Sequence, residues 1–355
     1  MADRYWILGT GTWDSTSTTN WSATSGGTGG ASVPTASDNV YFDANSNVGT
    51  GNFTVTMADT PRVCNDFTAS GLDGTMTLAG SNIGLTVSGS LFWQTTNFSR
   101  TYTGTTTFNA TTTGKTITTQ GRVLVLGNFD GVGGGWSLGS AFTCSTLTLT
   151  NGTFDLAGYT STSSSRFVTA GGTKNLTFNG GTVFCSGSGA FAFNNAEPSG
   201  FTTTAGTGTG TISMTAATAK TFRGGGSTFN CTFNQGGAGA LTITGSNTFS
   251  NITNTVQPAS ILFTAGTTST FTNFNLSGTS GNLITIGSVT AASHTLSKAS
   301  GTVSSDFLSI SRSTATGGAG WYAGANSTDG GNNSGWIFTA PPAPSAGNGN
   351  FLVFF

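Results

Sequence analysis

The side chains able to do chemistry are few. Among 355 residues the chain carries 12 Asp and Glu, 11 Lys and Arg, one His and four Cys. Two carboxylates about 5–9 Å apart could hydrolyse a glycosidic bond. The acids of the central region are Asp66, Asp73, Asp130, Asp155, Glu197 and Asp306, and no two sit at a spacing that reads as a pair. Asp155 alternates with Phe154 and Leu156, so it is expected to face solvent. His294, in "ASHTLSKAS", has no G-x-S-x-G serine to serve and no cluster of further zinc ligands, and is expected at a surface or rim. Cys64, Cys144, Cys185 and Cys231 lie far apart without a C-x-x-C pair, which favours buried free thiols over disulfides. "GGGWSLG" and "RGGGS" lack the Lys that a phosphate loop needs. "STDGGNNSGWIF", residues 327–338, offers oxygen donors at Asp329 and Asn333. The twelfth position from Asp329 is Ala340, where a calcium loop needs Glu, so the stretch reads as a turn. No catalytic residue, metal site or cofactor is expected.

The elements around these residues are short strands. From about residue 50 an apolar–polar–apolar triplet recurs: Phe53-Thr-Val55-Thr-Met57, Met76-Thr-Leu78, Leu85-Thr-Val87, Leu147-Thr-Leu149, Phe191-Ala-Phe193, Leu241-Thr-Ile243 and His294-Thr-Leu296 among others. Period two means a strand with one buried face, and no usable window shows a helical period. About 70 Thr, 55 Gly and 27 Phe fit an all-β chain and argue against disorder. The phrase repeats at a drifting interval, which predicts an all-β fold of stacked coils, a right-handed parallel β-helix, over an antiparallel jelly roll or sandwich. Phe, Leu and Ile should stack inward and Thr and Asn outward, with Gly at corners of positive φ. A dozen coils at about 4.8 Å would make a body on the order of 55–60 Å long.

Charge excludes one partner class. Charged residues are 6% of the chain and the net charge is −1, which leaves no basic patch to displace counterions from nucleic acid. No apolar run approaches the length of a membrane span, and "MADRYWILGTGTW" is expected not to be a secretory leader.

A stack of coils has two raw edges that must be covered. Residues 1–50 hold Trp6, Trp13 and Trp21 and are expected to cap or attach the body at 51–320, though three Trp could also form a sugar-stacking platform. Asp14 and Asn20 should shape turns. Residues 321–339, with Trp321, Tyr322 and Trp336, are expected to close the other end. A stiff linker and an apolar tail follow at 340–355, where Phe351, Phe354 and Phe355 are candidates for docking on a partner or a sister subunit, or for folding back on their own chain.

The two ends resemble known proteins. "RYWILGTGTWDSTSTTNWSATSGGTGGASVPTASDNVYFDANS", residues 4–46, and "WYAGANSTDGGNNSGWIF", residues 321–338, are similar to the ends of Thr/Gly-rich virion proteins of tailed bacteriophages, many from aquatic phages including those of cyanobacteria. The middle matches only in style. The resemblance implies a β-helical structural protein on the virion surface, tail-fibre-like or head-decorating, and brings no catalytic residue with it. A protein of that kind assembles in the host cytoplasm and contacts other virion proteins. A homotrimer and contact with host glycans are expected; nucleic-acid binding and membrane insertion are not. The alternatives are a glycan-binding surface adhesin, which would need an export signal, and a polysaccharide-degrading tailspike, which would need an acidic groove.

Overall fold

The computed structural model describes residues 1–343 except 48 and 50. Strands dominate, and the regular helix within that range is two three-residue 3-10 turns, Thr18–Asn20 and Ala44–Ser46. The strands stack as a parallel β-solenoid of about 13 turns. At a rung spacing of about 4.8 Å that is a body on the order of 60 Å long.

Each turn contributes to three parallel ladders. The first ladder starts with Asp3–Trp6, Asn39–Phe42, Phe67–Ala69, Leu91–Trp93 and Lys115–Thr118. The second starts with Gly11–Trp13, Phe53–Met57, Met76–Ala79 and Phe98–Arg100. The third starts with Arg62–Cys64, Leu85–Val87 and Thr105–Phe108. Beyond residue 120 some strands bend round a corner and serve two ladders: Val123–Leu138 and Phe142–Asp155 do so where triplets alone were expected. The ladders pass through the expected boundaries near 50 and 320, since Gly11 pairs with Val55 and Val303 with Trp321.

Alternation decides what goes inside. Phe53, Val55 and Met57 are buried while Thr54 and Thr56 are not, and the same holds down the ladders. Inward rings pile up one rung apart. Phe167 lies 5.0 Å from Phe193 and Phe193 lies 4.7 Å from Phe222, each pair stacked. Phe249 stacks on Phe229 at 5.4 Å and on Phe271 at 5.8 Å. Rings at these separations gain offset-stacking energy beyond the area they bury. One triplet departs from its expected alternation. Ala192 and Phe193 are both buried, whereas Phe191 turns out at φ 66° beneath the Arg223 guanidinium. The register slips between Gly189 and Phe193, and a slipped residue exchanges faces.

Corners absorb variation in turn length. Successive registered partners lie about 18 residues apart at Trp136 and Phe154 and about 27 apart at Val40 and Phe67. Gly152 shows why such corners need glycine: its φ is 84°, and a Cβ there would stand 2.7 Å from the carbonyl oxygens of Gly131 and Gly134.

Phe129 packs against Phe108, Trp136, Phe142 and Phe154 at 4.4–6.0 Å. Phe129→Ala should therefore cost about 3–5 kcal/mol. Denaturant unfolding followed by far-ultraviolet circular dichroism would read this as a lowered midpoint; an unchanged midpoint would contradict the stacked core.

Candidate functional site

The tryptophans of the first turn are interior. Trp6, Trp13 and Trp21 are at most 1% exposed. Trp21 meets Trp6 and Trp13 edge-on at 5.2 Å each, and Phe42 packs beneath all three. The Trp6 indole donates to the Gly9 carbonyl at 2.8 Å. With the rings this deep, none presents a face to a sugar. Their placement follows from an edge: Trp21–Ser22 runs antiparallel to Asp3–Trp6, pairing Trp6 with Trp21 and Tyr5 with Ser22. Asp14 and Asn20 hold the turns between. Asp14 accepts from the Ser17 hydroxyl and from the backbone of Thr16 and Ser17, and the Ser17 hydroxyl above all holds its carboxyl down at about 2. Asn20 donates to the Thr12 carbonyl.

At the other end Trp321 and Trp336 meet edge-on at 5.1 Å, and Phe274 lies 5.2 Å from Trp321. Their indoles donate to the Thr316 carbonyl and the Ser313 hydroxyl. Tyr322 is half-buried on the outer side of the same strand. Phe351, Phe354 and Phe355 lie outside the described residues. The stretch at 327–338 is built as a turn: Gly331, Asn332 and Gly335 have positive φ, and Asp329 accepts from the Gly331 N–H and the Asn333 amide. Asn333 also ties to the Ile310 carbonyl and the Ser313 N–H.

The carboxylates of the body are engaged one by one. Asp66 accepts from Ser90 N–H, Asp130 from the Asn151 amide, and Glu197 from Gly171 N–H. Asp306 accepts from Asn326 and Phe307. Asp155 is half-buried and accepts two bonds from Asn179; on the adjacent rungs it faces Ser137 and Thr177, so no second acid stands beside it there. Asp73 is exposed. All four cysteines are buried and free, and burial pushes the Cys144 thiol up to about 12.

His294 is not at a rim. It is fully buried, stacks on Phe263 at 4.8 Å, and shares a hydrogen bond of 2.8 Å between Nδ1 and the Ser288 hydroxyl. Its Nε2 has no partner among the described residues. The reason is alternation itself: His294 and Leu296 share a parity, and both point inward. The same parity puts two lysines inside. Lys174 donates to the carbonyls of Gly171, Gly172 and Ser199, and Lys220 to those of Ala216, Gly237 and Gly239. Burial pulls Lys220 down to about 8. Each ammonium satisfies three corner carbonyls that strands leave unpaired.

The exterior is a lattice of hydroxyls and amides. On the ladders Asn175 faces Thr202, Thr177 faces Thr204, Thr228 and Thr270 flank Thr248, and Thr268 and Thr314 flank Thr295. Asn175 donates to the Thr202 hydroxyl at 2.7 Å and Asn275 to the Asn251 amide oxygen at 3.0 Å. One aromatic pair interrupts it. Tyr5 and Tyr41 stack at 4.7 Å on the outer side of the first two rungs, and Phe92, two rungs further on, is 38% exposed. The pair is absent from the sequence-based expectations, although Tyr beside an inward Trp6 or Phe42 is outward by parity.

Burial lowers His294 to about 4 against an ordinary 6.5. The folded state therefore resists protonation, so stability is full above 6.5 and falls as pH drops toward 4, by up to about 3 kcal/mol. Urea midpoints from pH 7 to 4 should decline, and His294→Gln should flatten that decline. A wild-type curve level across this window would place the imidazole in water instead.

Searches of family models, curated proteins and solved structures return no match to this chain.

Proposed function

We propose that this chain is a structural protein of a tailed-bacteriophage particle, a fibre-like or head-decorating component exposed on the virion surface. The observation that carries the reading is the uninterrupted parallel stack of about 13 turns, whose acids are bound into its own turns. Such a body is stiff and presents a neutral hydrogen-bonding exterior. The resemblance of residues 4–46 and 321–338 to phage virion proteins supports the same assignment. In this reading the Trp6, Trp13 and Trp21 cluster and the Trp321 and Trp336 pair act as caps, sealing apolar rungs from water at each end. Buried free thiols suit assembly in a reducing host cytoplasm. The rod associates with other virion proteins and with two further copies of itself.

A second reading, a glycan-binding surface module, draws on the outward Tyr5–Tyr41 stack. Paired aromatic faces can receive the apolar face of a sugar ring. The two readings combine if the rod also contributes to host attachment.

A particle map should show this rod on the exterior of a virion, and its absence from purified particles would refute the assignment. Mass photometry of the full chain should give a trimer, and deletion of residues 350–355 should shift it toward monomer. A monomer at micromolar concentration would remove the oligomer from the proposal. On a glycan array, Tyr41→Ala should abolish any signal that the second reading claims; a signal indifferent to it would assign binding elsewhere.

A further inference from the structure

Some inward cations of the body, two lysines and the half-buried Arg122, nearly fill their own hydrogen-bonding capacity. Lys174 and Lys220 each reach three carbonyls, and Arg122 sends four bonds to the carbonyls of Thr95, Phe98 and Gln120. Arg62 does not. It is 4% exposed, yet its side chain makes two bonds, from Nε to the Thr60 carbonyl and from Nη2 to the Thr60 hydroxyl. A guanidinium has five N–H groups, so three of them, both on Nη1 among them, lack an acceptor among the described residues. Burial lowers the Arg62 pKa, while the unpartnered Nη1 keeps contact with solvent. The charges of Asp59 and Asp14 oppose that shift in part, but neither carboxylate makes a hydrogen bond to the guanidinium. Asp59 is bound to the Ser15 N–H and hydroxyl, and Asp14 to Thr16 and Ser17.

Arg62 lines a cleft of about 310 Å³ between the first turns and the segment at 33–35. Val33, Pro34 and Pro61 give the cleft apolar walls, and Ser15 and Thr35 add hydroxyls. Buried charges are ordinarily paired, and a guanidinium with free N–H groups at a cleft matches a planar carboxylate that can take two of them. The walls fit a pyranose ring, with apolar contact for its C–H face and hydroxyl partners at its edge. We infer that this cleft binds the carboxylate of an acidic sugar residue, of the uronic or sialic acid type, with Arg62 as the anchoring cation. The inference stands apart from the rod's place on any particle. Asp14 and Asp59 offset part of the field, so affinity should be weak, on the order of 1 mM, and should fall with added salt.

Saturation-transfer NMR on the full chain, with glucuronate, N-acetylneuraminate, glucose and inorganic phosphate as separate probes, tests this. At least one of the two acidic sugars should bind, glucose and phosphate should not, and Arg62→Met should weaken binding by about tenfold or more. Because Arg62→Met alters a buried site, Val63→Glu provides the second variant. It keeps Arg62, sets a carboxylate of the chain's own at the cleft wall, and should abolish binding while the fold persists. Failure of both acids to bind, equal binding of glucose or phosphate, or binding that survives in folded Val63→Glu would overturn the site.

Discussion

The constraint beneath everything else is registry: each rung must lay its inward side chains on those of the rung before. Parallel pairing fixes the backbone at about 4.8 Å per step, and a side chain that fits that step can be repeated almost without limit. Phenylalanine fits well, because offset rings stack at nearly the same distance. Phe167, Phe193 and Phe222 show the match directly, at 5.0 and 4.7 Å. Each turn then finds its apolar surface covered by its two neighbours, and the chain needs no second layer or closed barrel to hide it. The cost falls on the corners, where the strands stop pairing. Glycines of positive φ and two inward lysines meet that need, the lysines by gathering carbonyls that would otherwise lie buried without donors.

Much of this was legible in the residues. Triplets such as Leu85-Thr-Val87 and Leu241-Thr-Ile243 fixed both the strands and their inward faces, since period two admits one assignment once the core is apolar. What escaped was polar residues at inward parity. His294 shares a strand with Leu296, Lys174 with Leu176, Lys220 with Phe222 and Arg62 with Cys64. Residue type pointed to the surface and position pointed to the core; position prevailed because one outward turn of the strand would also expose its apolar partner. The slip at Phe191 was not legible, because a register shift depends on the facing rung and not on the local pattern. Nor was the pairing of Tyr5 with Tyr41, which are far apart in the chain and meet only once the long excursion between them closes.

Function follows from the same division between inside and outside. The nucleophilic and basic side chains of the body lie inward: thiols buried, imidazole stacked and hydrogen-bonded, ammonium groups bound to carbonyls. What faces water is largely hydroxyl and amide, with a few rings and scattered aliphatic side chains such as Val123, Val132 and Val289. Such a surface can recognise or bear load, and most of its acids are occupied in holding corners. Arg62 is an exception, a cation carried inward by strand parity and then left lining an opening.

The reversed strand at Trp21–Ser22 gives the first edge of the rod a strand sense opposite to that of its repeating interior. A solenoid with two like edges could polymerise head to tail, each molecule continuing the ladder of the last. Here the first ladder ends in two residues running the opposite way, so a copy arriving at that end would meet a short template of the wrong sense. At that ladder, continuation by a second copy is disfavoured by direction as well as by length.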